Sequence, residues 1–271
     1  MNIIIGKNSN LSNALAKVID DVVLISSRDI ISNIDLLEKY KDFNNNIIFN
    51  NFYPSYKLHK LSSKVDYLPN CVKLTNDILE YFNGNKINKI IYSSSASVYG
   101  DNSKECFEND QVRPLGLYAS LKLENELLVA DFCNEASIDY TIARNFNFYG
   151  GIDQFSIIYK LIQSCLNNTK LVLRNNGQAI RDFIHIDDVA FIYSKLLKVR
   201  NIPILNVGTG KGVSIESLVS SLINNNFHLE FKNINESEIA FSVSESELLM
   251  EIIGDYQFKD VICYLLDEVS K

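Results

Sequence analysis

The sequence has no apolar run approaching the ~18 residues that a membrane span requires, so no spanning helix is expected. Its first residues, Met1-Asn2-Ile3-Ile4-Ile5-Gly6, lack a basic segment and a small-residue cleavage site. No secretion signal is therefore expected, and a cytoplasmic location is. Cysteine is sparse. The five residues (Cys71, Cys106, Cys133, Cys165 and Cys263) are scattered and form no Cys-x-x-Cys pair. That excludes a zinc framework, fits reduced thiols, and leaves no metal site to expect. Positive charge is in deficit: 26 Lys and Arg against 33 Asp and Glu give a formal charge of −7. This argues against a nucleic-acid binder but leaves room for a local basic pocket that takes a phosphorylated small molecule. No internal repeat or low-complexity linker is present. The composition that remains, 46% hydrophobic and 22% charged over 271 residues, is that of an ordinary soluble protein.

Read in order, the chain opens with Ile3-Ile4-Ile5, an apolar run of the kind buried on both faces of a parallel sheet. It continues through Gly6-Lys7-Asn8-Ser9-Asn10-Leu11-Ser12 into a helix predicted from Asn13 to about Ile19. Strand, tight turn and helix form the context of a dinucleotide phosphate loop. The loop pattern asks for glycine at positions 6, 9 and 12, and only Gly6 is there; Ser9 and Ser12 stand in. By itself this is a weak signal. Gly6, Asn8, Ser9, Asn10 and Leu11 are the candidate cofactor contacts in the turn. Val22 to Ile25 reads as the second strand. Where it ends, an acid would suit a free ribose 2′-hydroxyl, but the sequence reads Ser26-Ser27-Arg28-Asp29. Hydroxyls followed by a guanidinium suit a 2′-phosphate, so NADP(H) is favoured, with NAD(H) as the alternative. A third strand, Asn46 to Asn50, runs on to Asn51-Phe52-Tyr53 and brings Asn50 to the same edge. A helix follows over 70–83 and a fourth strand over Ile87–Tyr92. The run Ser93-Ser94-Ser95 then lies at the strand end, where open α/β sheets line their ligand crevice.

Tyr118-Ala119-Ser120-Leu121-Lys122 opens an apolar-periodic run through Leu121, Leu127, Leu128, Val129 and Phe132 that reads as a helix. Residues four apart share a helix face, so Tyr118 and Lys122 are neighbours. An ammonium beside a phenol favours the phenolate, and the spacing predicts a lowered Tyr118 pKa and an acid-base group for a carbonyl/alcohol pair. A lone Tyr-x-x-x-Lys is usually a surface pair; the surrounding segments distinguish this one.

Those segments are Ile91-Tyr92-Ser93-Ser94-Ser95-Ala96-Ser97-Val98-Tyr99-Gly100, Tyr118-x-x-x-Lys122, Arg144-Asn145-Phe146-Asn147-Phe148-Tyr149-Gly150, Arg181-Asp182-Phe183-Ile184-His185-Ile186-Asp187-Asp188-Val189-Ala190, and Leu205-Asn206-Val207-Gly208-Thr209-Gly210-Lys211-Gly212-Val213-Ser214. Together, in this order, they resemble the extended short-chain dehydrogenase/reductase family of nucleotide-sugar epimerases, dehydratases and reductases, from residue 1 to about 220. The resemblance implies an α/β fold, with a Rossmann-like doubly wound parallel sheet over 1–150 plus about 181–210. It implies a small C-terminal α/β substrate lobe from about 151–180 and 211–271. It makes Ser95, Tyr118 and Lys122 catalytic, with Lys122 also holding the nicotinamide ribose. Ser95, Asn147 and Arg181 would contact substrate, Arg181 at the nucleotide diphosphate. His185 reads as a packing and hydrogen-bonding residue, and His59 and His228 as structural or surface residues. A homodimer follows by analogy alone.

Dehydratases of the family carry an acidic pair just after the catalytic hydroxyl, where this chain has Ala96 and Ser97, so dehydration is set aside. The expectation is an NADPH-dependent reductase of a nucleotide-linked 4-keto-6-deoxy sugar, of the kind used for surface polysaccharide. The alternatives are an NAD-dependent nucleotide-sugar 4-epimerase and a non-catalytic Rossmann protein that senses NADP(H).

Overall fold

A computed structural model describes residues 1–50 and 69–271; His59 and the expected strand end at Asn51-Phe52-Tyr53 lie outside them. The chain divides into two compact units. The first comprises Met1–Val98, Pro114–Arg144 and Ala190–Leu205, and the second Tyr99–Arg113, Asn145–Val189 and Asn206–Lys271.

The first unit is built on a six-stranded sheet of order β2-β1-β3-β4-β5-β9. β1 (Asn2–Ile5) lies parallel to both β2 (Val22–Ile25) and β3 (Asn45–Phe49), and β3 is parallel to β4 (Ile87–Ser95). β5 is Asp139–Asn145 and β9 Ile204–Val207. Ile3, Ile4, Ile5, Ile48 and Ile91 have no exposed area, as a sheet covered on both faces requires. The strand order reverses direction at β1, which neighbours β2 on one side and β3 on the other. Ligands of open α/β sheets bind beyond the strand ends at such a switch point.

Helix α1 (Asn10–Leu15) starts three residues before the expected Asn13, because Ser9 caps it: its Oγ accepts from the Ser12 N–H at 3.0 Å. α2 spans Ser27–Ser32. The expected helix over 70–83 is a wide turn, Pro69–Lys73, followed by α3 (Leu74–Tyr81). α4 (Leu117–Glu135) is the long helix, entered through Gly116 at φ +82, a backbone conformation that favours glycine. Its buried stripe is not purely apolar. Ala119, Leu121, Val129 and Cys133 share it with Lys122, Asn125 and Glu126, while Leu127 of the expected apolar run faces solvent.

The second unit centres on β8 (Ile180–His185), which pairs in parallel with β6 (Asn147–Tyr149) and β12 (Phe241–Ser242) and antiparallel with β10 (Gly212–Ser214). β7 (Leu171–Arg174) pairs in parallel with β11 (Phe231–Ile234). Helices α5 (Ile157–Asn167), α7 (Ile215–Asn224) and α9 (Val261–Val269) contribute Leu161, Leu218, Leu222 and Leu265 to one core; α6 spans Ile186–Leu196 and α8 Glu247–Ile253. The tail from residue 227 belongs to this unit. Asp182, fully buried on β8, accepts from the N–H groups of Thr209, Gly210 and Ser244 and from the hydroxyls of Thr209 and Ser244. His185 is buried against Tyr149 and Tyr264, with Nδ1 accepting from the Asp187 N–H at 3.1 Å, so it packs and hydrogen-bonds as expected. His228 is exposed.

Candidate active site

The end of β4 and the first turn of α4 bring three predicted residues together within the first unit. Lys122 is 3% exposed, and its amine donates to the Ser93 carbonyl at 2.6 Å and lies 5.1 Å from the centre of the Tyr92 ring. Tyr118, one helical turn earlier, is half-buried against Cys71, Val72 and Leu121, and its phenol is hydrogen-bonded to the Ser95 side chain. Ser95 Oγ also accepts from the Ser97 N–H at 3.2 Å, which fixes the hydroxyl at the strand end.

The electrostatics correct one expectation. Spacing alone predicted a lowered Tyr118 pKa. Burial instead pushes the phenol up to about 12, and the Ser95 hydrogen bond offsets only part of that rise. Burial also pulls Lys122 down to about 7, against the raising influence of Cys71 and Glu126. The low-dielectric surroundings disfavour the charged form of each group. At neutral pH the phenol is protonated and the amine is near the middle of its titration.

Behind these three groups lies a layer the sequence reading missed. Glu126, four residues beyond Lys122, accepts from Ser94 Oγ and from Arg144 on β5, with Arg144 NH2 at 2.8 Å and Nε at 3.2 Å from Glu126 Oε2. Its signal was the continued spacing of four, Tyr118 to Lys122 to Glu126.

At the ends of β1 and β3, Gly6 takes φ +114 in a turn closed by the Ser9 N–H to the Gly6 carbonyl, a conformation that requires glycine. Ser9 and Ser12 occupy the other two loop positions, and their hydroxyls bond each other at 2.9 Å. Asn50 donates to both, which ties the end of β3 to the loop. Asn8 is exposed, Asn10 is half-buried and Leu11 is buried in α1. Ser26 precedes α2 without a capping hydrogen bond, and Arg28 is exposed. A groove of about 550 Å³ runs along β2 and is lined by Lys7, Ser26, Asp29, Lys39 and Tyr40, among others; Asp29 lines it and Arg28 does not. In the second unit, Asn147 donates to the Asp182 carbonyl at 3.2 Å. Arg181 donates to the carbonyls of Ile180 and Ile239, with Glu238 at 3.7 Å.

A hydroxyl, a phenol and an amine converging beside an apolar wall, in one unit with a glycine turn at a helix start, are the donor set that a nicotinamide dinucleotide needs. The residues present fit that cofactor.

The family model described as the NAD dependent epimerase/dehydratase family matches residues 7–208. The chain belongs to that family. Its type is the extended short-chain dehydrogenase/reductase. An uncharacterized protein of Methanocaldococcus jannaschii is 29% identical over 227 residues, covering 81% of this chain and 70% of the relative. The CapI protein of Staphylococcus aureus is 33% identical over 125 residues, covering 45% of this chain and 37% of the relative. A UDP-glucuronate 4-epimerase of Thermodesulfobacterium geofontis is 26% identical over 179 residues, covering 64% and 55%. The chain thus spans little more than half, or less, of several relatives it matches. Among solved structures, a UDP-glucuronic acid 4-epimerase from Bacillus cereus in complex with UDP-glucuronic acid and NAD superposes with a TM-score of 0.87 at 19% identity, covering 100% of this chain and 98% of that one. MoeE5 in complex with UDP-glucose and NAD gives 0.87 at 21%, covering 99% and 97%. At these identities the likeness establishes the Rossmann-type fold. Among the described residues no helix is long and apolar enough to cross a membrane, and no cluster of metal-ligating side chains occurs.

Proposed function

We propose that the protein reduces the carbonyl of a nucleotide-linked 4-keto-6-deoxy sugar, with NADPH as coenzyme. The observation that carries this reading is the Ser95–Tyr118–Lys122 constellation on one strand end and one helix turn. The nicotinamide, when bound, supplies the hydride. Tyr118, a neutral phenol at working pH, gives its proton to the carbonyl oxygen as charge develops there. The Ser95 hydroxyl, oriented by the Ser97 N–H, donates to the same oxygen and stabilises it. Lys122, anchored on the Ser93 carbonyl, presents its amine to the ribose and to the phenolate that Tyr118 leaves behind. Asn147 and Arg181 are the proposed substrate contacts; the two terminal nitrogens of Arg181 already donate to the Ile180 and Ile239 carbonyls, so it would bring its positive charge, rather than a free fork, to the diphosphate. Ala96 and Ser97 leave no carboxylate beside the reacting carbon to run an elimination.

A second reading, a 4-epimerase that retains NAD, is favoured by Asp29, which is among the residues that line the β2 groove where Arg28 is not. The structurally similar epimerase and MoeE5 are both described with NAD. Location in the cytoplasm, a role in polysaccharide synthesis and a homodimer belong to the same proposal. Assays of the purified protein with each coenzyme separate the readings. The reductase oxidises added NADPH stoichiometrically with substrate. A protein that arrives with bound NAD and interconverts two sugar nucleotides without added coenzyme is the epimerase.

A further inference from the structure

We propose that Glu126, Arg144 and Ser94 are positioning residues that hold Lys122 and Ser95 in register for the hydride-transfer chemistry, rather than a structural ion pair alone. The inference rests on the Ser95–Tyr118–Lys122 reading above.

Three observations carry it. First, the pair is deeply buried: Glu126 and Arg144 are each 4% exposed, and the guanidinium meets the carboxylate through both Nε and NH2. This two-pronged geometry fixes direction as well as distance. Second, Ser94 ties the carboxylate to β4 through its hydroxyl and stands between the two atoms the chemistry needs fixed. The Ser93 carbonyl before it accepts from Lys122, and the Ser95 hydroxyl after it bonds Tyr118. Third, Glu126 lies one turn beyond Lys122 on the same face of α4, so one carboxylate ties the lysine's helix to the serine strand and to β5. A buried pair is a weak source of stability, because desolvation offsets its attraction.

Among the described residues, the groups around the Lys122 amine include Glu126 on its own helix, the Ser93 carbonyl and the Tyr92 ring on β4, and the Cys71 thiol in the turn before α3. Of these, Glu126 is the carboxylate, and its field favours the ammonium. Removing it lowers the Lys122 pKa further.

The test uses the full chain with three variants, Glu126→Gln serving the Lys122 titration. Glu126→Met combined with Arg144→Met replaces the pair by apolar side chains of similar reach, a change that buried pairs often tolerate without loss of stability. Ser94→Ala keeps both charges and removes only the tie to the strand. Thermal melting, kcat and KM with NADPH and substrate, and the Lys122 titration followed by NMR of 13Cε-labelled lysine are measured on each. The proposal expects folded proteins whose kcat falls about tenfold or more with a smaller change in KM, the penalty for a misplaced reacting group. It expects the Lys122 titration to move to lower pH in Glu126→Gln, which removes the carboxylate's charge and keeps Arg144, and to stay in place in Ser94→Ala. A folded double variant with wild-type kcat, or a folded Glu126→Gln variant with an unmoved Lys122 titration, overturns it. Should the double variant not fold, Ser94→Ala decides: wild-type kcat overturns the proposal and a selective loss of kcat supports it. The NMR titration needs no substrate, so it reports on the coupling even if wild-type protein turns over no sugar nucleotide, which would count against the proposed function instead.

Discussion

At the residue scale, the same burial acts in opposite directions on two side chains. It holds the Tyr118 phenol neutral, with its pKa at about 12, and brings Lys122 to about 7. The phenol therefore keeps its proton across the working range, while the amine loses its charge as pH rises through about 7. If the ammonium stabilises the departing phenolate, kcat/KM for reduction is highest below neutrality and declines above it. A pH–rate profile of the free enzyme measures this. Lys122→Arg, which stays charged, should flatten that decline even where it lowers the maximum. The lysine also has a stability signature. Its unfolded pKa is about 10.4 and its folded value lower, so between those values the unfolded chain binds more protons and stability rises with pH. Lys122→Met should then abolish turnover while stabilising the fold at pH 7 by about 1–3 kcal/mol, read from urea unfolding. The placement of Tyr118 and Lys122 was legible from their spacing. The sign of the Tyr118 shift was not, because the spacing says nothing of what surrounds the pair; Cys71 and Leu121, which form the apolar wall, belong to separate stretches of the chain.

At the element scale, β4 and α4 carry the chemistry, and the elements around them fix where those two lie. The serine run predicted at a strand end is the end of β4 itself, three residues longer than hydrophobicity alone suggested, because Ser93 and Ser94 are buried with partners for their polar atoms. The stripe of α4 was misread for the same reason. Apolar periodicity pointed to Leu121, Leu127 and Val129; Leu121 and Val129 are buried, but Leu127 is exposed and the stripe is completed by Asn125 and by Glu126, which its pairing with Arg144 makes tolerable inside. In the second unit, Gly150 stands at φ +86 with the His185 ring where a Cβ would be. Gly150→Ala should destabilise by about 2–4 kcal/mol through clash and backbone strain together, measured by urea unfolding. Loss of Nδ1 acceptance by His185 is not the cause in that variant, so His185→Asn should not rescue it fully while φ stays positive.

At the scale of the whole chain, the ordered motifs made the fold and family legible, since five segments in one order constrain a topology that no single motif does. What was hard to read were the loop positions of Ser9 and Ser12. The sequence shows two missing glycines; the structure shows two hydroxyls bonded to each other and to Asn50, a built feature rather than a decayed one. The tail from 227 was also opaque, because its short strands are placed by long-range pairing: β11 with β7, and β12 with β8. Asp182 gathers the turn after β9 and Ser244 of the tail around one carboxylate. Asp182→Ala removes the acceptor shared by Thr209 and the buried Ser244 and should cost about 3–5 kcal/mol by urea unfolding, with NAD(P)H binding retained in the protein that stays folded.

The account as a whole depends on Tyr118 as the proton donor. The most direct measurement is the oxidation of NADPH by wild-type protein and by Tyr118→Phe in the presence of a nucleotide-linked 4-keto-6-deoxy sugar, alongside coenzyme binding by fluorescence. Wild-type protein should consume NADPH, and the variant should bind it equally well and turn over at least ~100-fold more slowly. A Tyr118→Phe protein that oxidises NADPH at the wild-type rate contradicts the mechanism.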